Sequence, residues 1–283
     1  MAVGTTSDDR YVRPVRGFRL RDFPSSMARL FERHELVWFL TVRHFKALYK
    51  QSALGYAWTV VNPLAQLIIL SFVFSTILRQ ESQFGVPFAI FLFIGLLPWL
   101  FFSSAISFAT ESVASGMSLI TKVYFPREIL PITAVITKLI DFLVGVVILI
   151  GVTLVYGVGM SWAALWVLPV FFLQFLFTVG LAMPLAALNL FFRDVRFLVG
   201  VTLHMLFFLT PIFYAASRVP ERYQFLYEFN PNAAFINAYR GAYLGGQAPS
   251  IERLALAAAI AVTTFIVGYY IFKKLESGFA DRI

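Results

Sequence analysis

Apolar runs too long for a soluble core recur along this chain, separated by short polar turns. The first ordered pattern lies between Glu35 and Lys50, where apolar and basic residues alternate at helical spacing. Trp38, Val42, Phe45 and Tyr49 share one face, and Arg43, Lys46 and Lys50 share another. That pattern predicts a basic amphipathic helix in a membrane interface, its stems in lipid and its charges at the headgroups. Every residue from Gln51 to Leu78 is uncharged, a run long enough to cross a bilayer. Leu54-Gly55 therefore stands where the chain turns from lying on the membrane to crossing it. Gly55 supplies backbone angles that other residues resist.

Further along, the same reading predicts six spans, at about 57–78, 86–110, 131–156, 163–190, 197–216 and 252–272. Pro131 is a favourable first-turn residue for the third. The stretch from Phe142 to Phe192 carries no charge and is too long for one span. The break GVGMSW at 157–162 divides it. The organisation expected is a tail over 1–31, an interfacial helix and corner over 32–55, and a six-span domain over 56–283. Pro14, Pro24 and many arginines make the tail loosely ordered unless a partner holds it.

Composition agrees with a polytopic membrane protein. The 283 residues are 59% hydrophobic and 13% charged, about half the charged fraction of a soluble domain. Cysteine is absent, so disulfides, thiol catalysis and cysteine metal sites are excluded. The three histidines are scattered, and no metal site is expected. The N-terminus lacks the short apolar core of a cleaved signal peptide. A net charge of +8 raises the question of nucleic acid, but ten of the 23 basic residues precede Gln51, beside the first span. Outside segments carry only Arg79, Arg218, Arg222, Arg240 and Arg253, which places both termini in the cytoplasm.

The candidate chemistry is sparse. No GxxxxGK[ST] motif is present to cradle ATP. Lys138 and Asp141, spaced i, i+3 in the third span, are either a proton relay or substrate contact, or a mutually satisfied pair that fixes packing. Segment 217–250 is expected to hold two short helices, Val219–Phe229 and Asn232–Leu244, broken at Asn230-Pro231 and stopped at Gly245-Gly246. They form a re-entrant outer gate or an ordinary surface loop. The loop 112–130, with a helix-compatible run from Ser115 to Val123, exposes Met117, Leu119, Ile120 and Val123. It invites a partner or turns partly into lipid. The aromatic load of 32 Phe, 12 Tyr and 5 Trp suits a conduit for sugars or a lipid-facing surface.

The stretches YKQSALGYAWTVVNPL, TKVYFPREILP, LNLFFRDVRFL, PIFYAASRVPE and FNPNAAFINAYRGAYL, after an interfacial helix, closely resemble the membrane subunit of polysaccharide ABC exporters. The resemblance runs from about Glu35 onward. It implies an all-α polytopic fold of six transmembrane helices, preceded by the interfacial helix, with two short re-entrant helices before the last span. It further implies a homodimer in the cytoplasmic membrane with two copies of a separate ATPase chain, which holds ATP and Mg2+ while this chain holds no cofactor. By the same resemblance, Ser115, Met117, Leu119, Lys122, Tyr124, Phe125 and Arg127 belong to the loop coupled to the ATPase. Leu54, Gly55, Tyr56 and Trp58 stand where a polyprenyl-diphosphate-linked polysaccharide comes in, beside a lateral opening between spans one and five. Arg43, Lys46 and Lys50 attract its diphosphate or simply reach for lipid headgroups. Tyr227, Asn230, Pro231, Phe235, Tyr239 and Arg240 form the outer gate.

Three other functions are weighed against this one. A small-molecule ABC exporter has no need of a sugar corner. A membrane glycan-modifying transferase needs a cluster of catalytic carboxylates or histidines, and none is seen. A proton-coupled carrier wants several intramembrane carboxylates, and only Asp141 qualifies. The chain is expected to do no covalent chemistry itself.

Overall fold

The computed structural model describes residues 23–50, 52–79, 85–120, 125–159, 161–215, 219–228 and 230–282, and among them all regular structure is helical. Two helices precede the corner, α1 (Phe23–Glu32) and α2 (His34–Tyr49). A 3-10 turn, Gly55–Ala57, leads into α3 (Trp58–Ser71), which ends in a π-helical stretch, Phe72–Ile77. The long helices α4 (Phe88–Thr110), α7 (Ile129–Val155) and α8 (Val167–Phe191) follow, with the short α5 (Ser112–Ser115) and α6 (Met117–Ile120) after α4. Helices α9 (Val195–Leu209), α10 (Glu221–Glu228), α11 (Pro231–Tyr243) and α12 (Ile251–Glu276) complete the chain.

Among the described residues, five stretches are long and apolar enough to cross a membrane, Gly55–Ile77, Phe88–Thr110, Ile129–Val155, Trp162–Phe191 and Ile251–Phe279. The fifth expected span, 197–216, differs. Its helix α9 has 15 residues, about 22 Å at 1.5 Å per residue, and falls short of a hydrocarbon core of about 30 Å. Pro211 is the reason. Its ring pushes the preceding residue out of the helical region, and Thr210 is extended at φ −99°, ψ 137°. The chain then runs without helix through 211–215.

Helix α4 is the axis of the bundle. Of its most apolar window 78% is buried, against 11% for the first span, so α4 is surrounded by protein while α3 stands at the edge. One cluster of aromatic rings packs here. Phe101 packs against Phe142, Phe171 and Phe175, and Phe102 stacks on Phe177. On the far side, α8 and α12 pack extensively. Gly180 and Gly268 face each other so closely that a Cβ on Gly268 would fall 1.8 Å from the Gly180 carbonyl oxygen.

The N-terminal part is more ordered than the sequence suggests. Helix α1, with residues 23–31 expected as loose tail, docks on the last span. Phe23 meets Phe265 and Tyr269 edge-on at 6.1 and 5.2 Å, and the buried Ser26 hydrogen-bonds the Tyr269 phenol. Helix α2 packs along α7, and its buried residues are Leu40 and Thr41. The face expected in lipid is shared out: Trp38 is 68% exposed, whereas Val42, Phe45 and Tyr49 are half-buried.

Candidate functional site

The corner after α2 is built by conformation rather than by packing. Gly55 has φ +51°, and a Cβ placed on it would touch nothing within 4 Å. Only its backbone demands glycine. Around it the corner is clipped to itself. The rings of Phe45 and Tyr56 stack at 5.3 Å, Tyr49 lies against both, and the Trp58 indole donates to the Ser52 hydroxyl at 2.9 Å. Leu54, Tyr56 and Trp58 are otherwise exposed, as are Arg43, Lys46 and Lys50.

Among the described residues, one polar contact ties this corner to the bundle. The Tyr49 hydroxyl donates to Asp141 Oδ1 at 3.0 Å, while Lys138 Nζ donates to Asp141 Oδ2 at 3.1 Å. Both carboxylate oxygens are thus taken. Burial first, then the neighbouring carboxylate, holds the Tyr49 phenol well above its ordinary pKa, so it remains a donor. Lys138 also lies 5.4 Å from the Phe108 ring. Asp141 is twelve residues into α7, about 18 Å along it, so the corner reaches deep into the bundle. The ion pair that sequence spacing isolates is a three-residue cluster.

That cluster forms one wall of a cavity of about 720 Å3 between α3, α4, α7 and α9. Its polar lining includes Asn62 and Gln66, which hydrogen-bond to each other at 3.0 Å, together with Ser103, Ser104, Ser107 and His204. Trp58, Trp99, Phe101 and Phe207 supply aromatic surface. Helix α3 packs on α4 and α7, whereas α9 packs on α4 and α8, so these two lightly buried helices flank the cavity. The lining mixes flat rings with hydroxyl and amide groups. Such a surface suits a flexible polar ligand that presents both C–H faces and hydroxyls.

In the segment before the last span, α11 is largely buried, whereas residues 221–224 at the start of α10 are exposed. Asn230 caps α11, its side chain accepting from Asn232 N–H, and Pro231 occupies the first turn, where its missing N–H costs nothing. Most of α11 is buried against α4 and α8. The fully buried Tyr239 donates to Gln174 Oε1 at 2.8 Å, and Gln174 Nε2 donates to the Pro98 carbonyl at 3.1 Å. Tyr243 and Thr153 share a hydrogen bond at 3.0 Å. Asn230 Nδ2 donates to the Thr210 hydroxyl at 3.0 Å, and Tyr227 pairs with Tyr214 at 2.6 Å. Phe235 sits on Phe177.

Arg240 organises the break in the expected span 197–216. Its guanidinium donates to the carbonyls of Pro211 (2.6 Å), Tyr214 (3.2 Å), Phe91 (3.5 Å) and Ile212. It is 2% exposed, lies 3.8 Å over the Phe91 ring, and fills the space that Gly95 leaves on α4. The sequence places Arg240 in an outside loop; the structure sets it inside the bundle, where it satisfies carbonyls freed by the non-helical backbone. Tyr227, Asn230, Pro231, Phe235, Tyr239 and Arg240 therefore belong to one locus.

The loop after α4 divides differently from the expected single helix. Ser115 ends α5, Met117 and Leu119 lie on α6, and Lys122 and Tyr124 fall outside the described residues. Phe125 is buried in the core. Arg127 turns away from α6. It donates to the Glu276 carbonyl at 3.0 Å and lies 5.6 Å over the Phe279 ring. The next residue, Glu128, is buried with Lys273 at 2.7 Å and accepts from Tyr269 at 3.1 Å. Glu128, Lys273, Gln174 and the Gly180–Gly268 crossing were not singled out in the sequence. A signal existed for Gln174, a polar side chain amid a long uncharged run. None existed for the partnership of Glu128 with a residue 145 positions away.

Comparison with known proteins places this architecture. Residues 35–244 match the family model described as ABC-2 type transporter. An O-antigen export system permease protein, RfbA, of Klebsiella pneumoniae is 32% identical over 249 residues, which are 87% of this chain and 94% of that protein. Its counterpart in Myxococcus xanthus is 30% identical across 90% of this chain and 97% of its own. The polysialic acid transport protein KpsM of Escherichia coli is 22% identical across 84% and 92%. The chain is a multi-pass membrane protein and belongs to the ABC-2 type transporter family.

Proposed function

We propose that this chain is the transmembrane subunit of an exporter that moves a lipid-linked polysaccharide across the cytoplasmic membrane, driven by ATP hydrolysis in a separate partner. The observation that carries the reading is the cavity at the corner, with its mixed aromatic and hydroxyl lining, in a chain similar along nearly its whole length to O-antigen export permeases. Two copies would pair with two ATPase chains, both termini facing the cytoplasm. The polyprenyl-diphosphate headgroup meets Arg43, Lys46 and Lys50, whose charges complement it. The glycan passes Leu54, Gly55, Tyr56 and Trp58 and enters between α3 and α9, where rings stack on sugar faces and Asn62, Gln66 and the serines exchange hydrogen bonds with hydroxyls. Movement of α6, with Met117 and Leu119, transmits the partner's ATP cycle, and the α10–α11 unit governs the outer exit. This chain contributes binding and motion, not covalent chemistry.

The test is co-expression with the neighbouring ATPase gene and reconstitution in proteoliposomes. Expected are a stable complex and ATP-dependent uptake of a polyprenyl-diphosphate glycan, lost in Met117→Glu. A complex that moves small amphiphiles and no glycan would replace this reading with a small-molecule exporter. Failure of any ATPase to associate would end it.

A further inference from the structure

A second cavity, about 680 Å3, lies at the end of the bundle where α4 passes into α5 and α6 and where α8 turns into α9. Glu111, Asn189, Arg193 and Arg196 line it, with Ser115 and Ser118. Among the described residues the side chains of Glu111, Arg193 and Arg196 make no ion pair or hydrogen bond, and Arg196 only leans on the Phe197 ring at 4.7 Å. Asn189 is 4% exposed, yet its Oδ1 has no donor. A buried amide oxygen left unmet costs free energy unless a ligand or an ordered water supplies the missing proton.

The surroundings identify the medium. Phe192, Phe197 and Leu198, beside the two arginines, are 64%, 61% and 65% exposed. In a membrane-spanning chain, side chains so apolar and so exposed face acyl chains, which puts the arginines at headgroup level.

We propose that this groove binds one phospholipid headgroup of the phosphoethanolamine type. Arg193 and Arg196 take the phosphate, since guanidinium donors match phosphate oxygens. The ammonium donates to Asn189 Oδ1 and the Glu111 carboxylate, so every unmet group finds its complement. A carboxylate-bearing segment of a protein partner would satisfy the arginines but would be repelled by Glu111. A phosphocholine headgroup has no N–H to give. A phosphoglycerol headgroup has hydroxyls but no cation for Glu111.

The protein is stripped of lipid in detergent, exposed to vesicles of equimolar phosphatidylethanolamine, phosphatidylglycerol and phosphatidylcholine, repurified and read by native mass spectrometry. One phosphatidylethanolamine retained per chain is expected. Glu111→Gln and Asn189→Leu each reduce that retention about tenfold, the effect of losing one charge-assisted hydrogen bond. Arg193→Gln/Arg196→Gln abolishes it. Glu111 is exposed, so its variant folds regardless of lipid, and removing the unpartnered Asn189 carbonyl leaves thermal stability in lipid-free detergent unchanged. Retention that follows the bulk mixture, or that survives all three variants, overturns the proposal. So does equal binding of soluble phosphoethanolamine, which would make the site one for a free metabolite. Unchanged lipid with loss of the ATPase complex in the arginine variant would assign the groove to a protein contact instead.

Discussion

The Tyr49 hydroxyl donates to Asp141 Oδ1 at 3.0 Å, and this bond joins residues 92 positions apart. It is the one polar side-chain bond among the described residues from the corner to a spanning helix, because the other corner contacts are internal. Helix α3, which follows the corner, is itself scarcely buried. The position of the first span over the cavity is therefore set by this bond together with the packing of α3 on α4 and α7. Tyr49→Phe keeps the ring contacts with Phe45 and Tyr56 and removes only the donor. The expected cost is about 1.5–3 kcal/mol, as for a hydrogen bond to a charged acceptor. Because the chain has no cysteine, a single Ala53→Cys reports the corner cleanly, and its thiol labelling should quicken in the Phe variant. Labelling at an unchanged rate would show that packing alone seats the corner.

Arg240 yields a prediction of the opposite kind. Its guanidinium serves four carbonyls in a buried setting, so Arg240→Met leaves several acceptors unmet at about 1–3 kcal/mol each. Misassembly or a loss of at least about 3 kcal/mol is expected, read as thermal unfolding by tryptophan fluorescence. Arg240→Lys keeps the charge but not the fork, and should recover only part. Gly95→Ala should resemble Arg240→Met, since its methyl would lie 2.6 Å from Arg240 Nη2 in a place the guanidinium cannot leave. A Gly95→Ala protein with unaltered stability would refute the slot.

These two residues also mark how far sequence reading reaches. Apolar runs without charge locate the spanning helices, because nothing else in a chain needs so many uncharged residues together. Asn230-Pro231 announces the break between α10 and α11, because cap and first-turn chemistry are local. Arg240 is legible as part of the helix after Asn230-Pro231 but not as a buried residue. Its partners are backbone carbonyls, which carry no sequence signature. Helix α9 misleads for a related reason, since hydropathy counts 210–216 as span although Pro211 ends the helix. Tyr49 and Asp141 are each visible, yet their bond depends on how α2 leans on α7, a tertiary fact.

The Glu128–Lys273 pair links the start of α7 to the end of α12, with Glu128 3% exposed and Lys273 14%. Breaking one side strands a buried charge. Lys273→Met should destabilise by about 3–5 kcal/mol, whereas the double variant Glu128→Gln/Lys273→Met should restore most of that loss. Additive costs in the double-mutant cycle would mean the two ends are held by other contacts, such as Arg127 on the Glu276 carbonyl.

His44 supplies a pH dependence. Burial, then the neighbouring Arg43, lowers its pKa below the ordinary 6.5. Above pH 6.5 the ring is neutral folded or unfolded and contributes nothing. As pH falls below 6.5 the unfolded chain takes up a proton before the folded one does, so stability declines with acidification. The folded ring has an unpartnered Nδ1 and lies edge-on to Phe108 at 5.9 Å, so protonation loosens α2. Between pH 7.5 and 5.5 the wild-type unfolding temperature should drop further than that of His44→Gln. Parallel curves would remove His44 as the cause.

The crossing of α8 and α12 is set by two absent side chains. Without a hydrophobic drive between helices in lipid, close approach of backbones through small residues supplies the attraction. Gly180 and Gly268 provide it, and Ala257 and Ala261, both buried on α12, extend the same small face. A methyl on Gly268 would overlap the Gly180 carbonyl, which is backbone and cannot turn aside. Gly268→Ala must therefore push the helices apart, at about 1–3 kcal/mol for overpacking. The displacement would carry along Lys273 and Phe279, and with them Arg127 and Glu128 at the end of the loop after α6. A Gly268→Ala exporter should thus lose stability and also uncouple ATP hydrolysis from transport, while Gly151→Ala, whose Cβ meets open space, should do neither. Measured in the same proteoliposomes, full coupling in a destabilised Gly268→Ala protein would confine the crossing to a structural role.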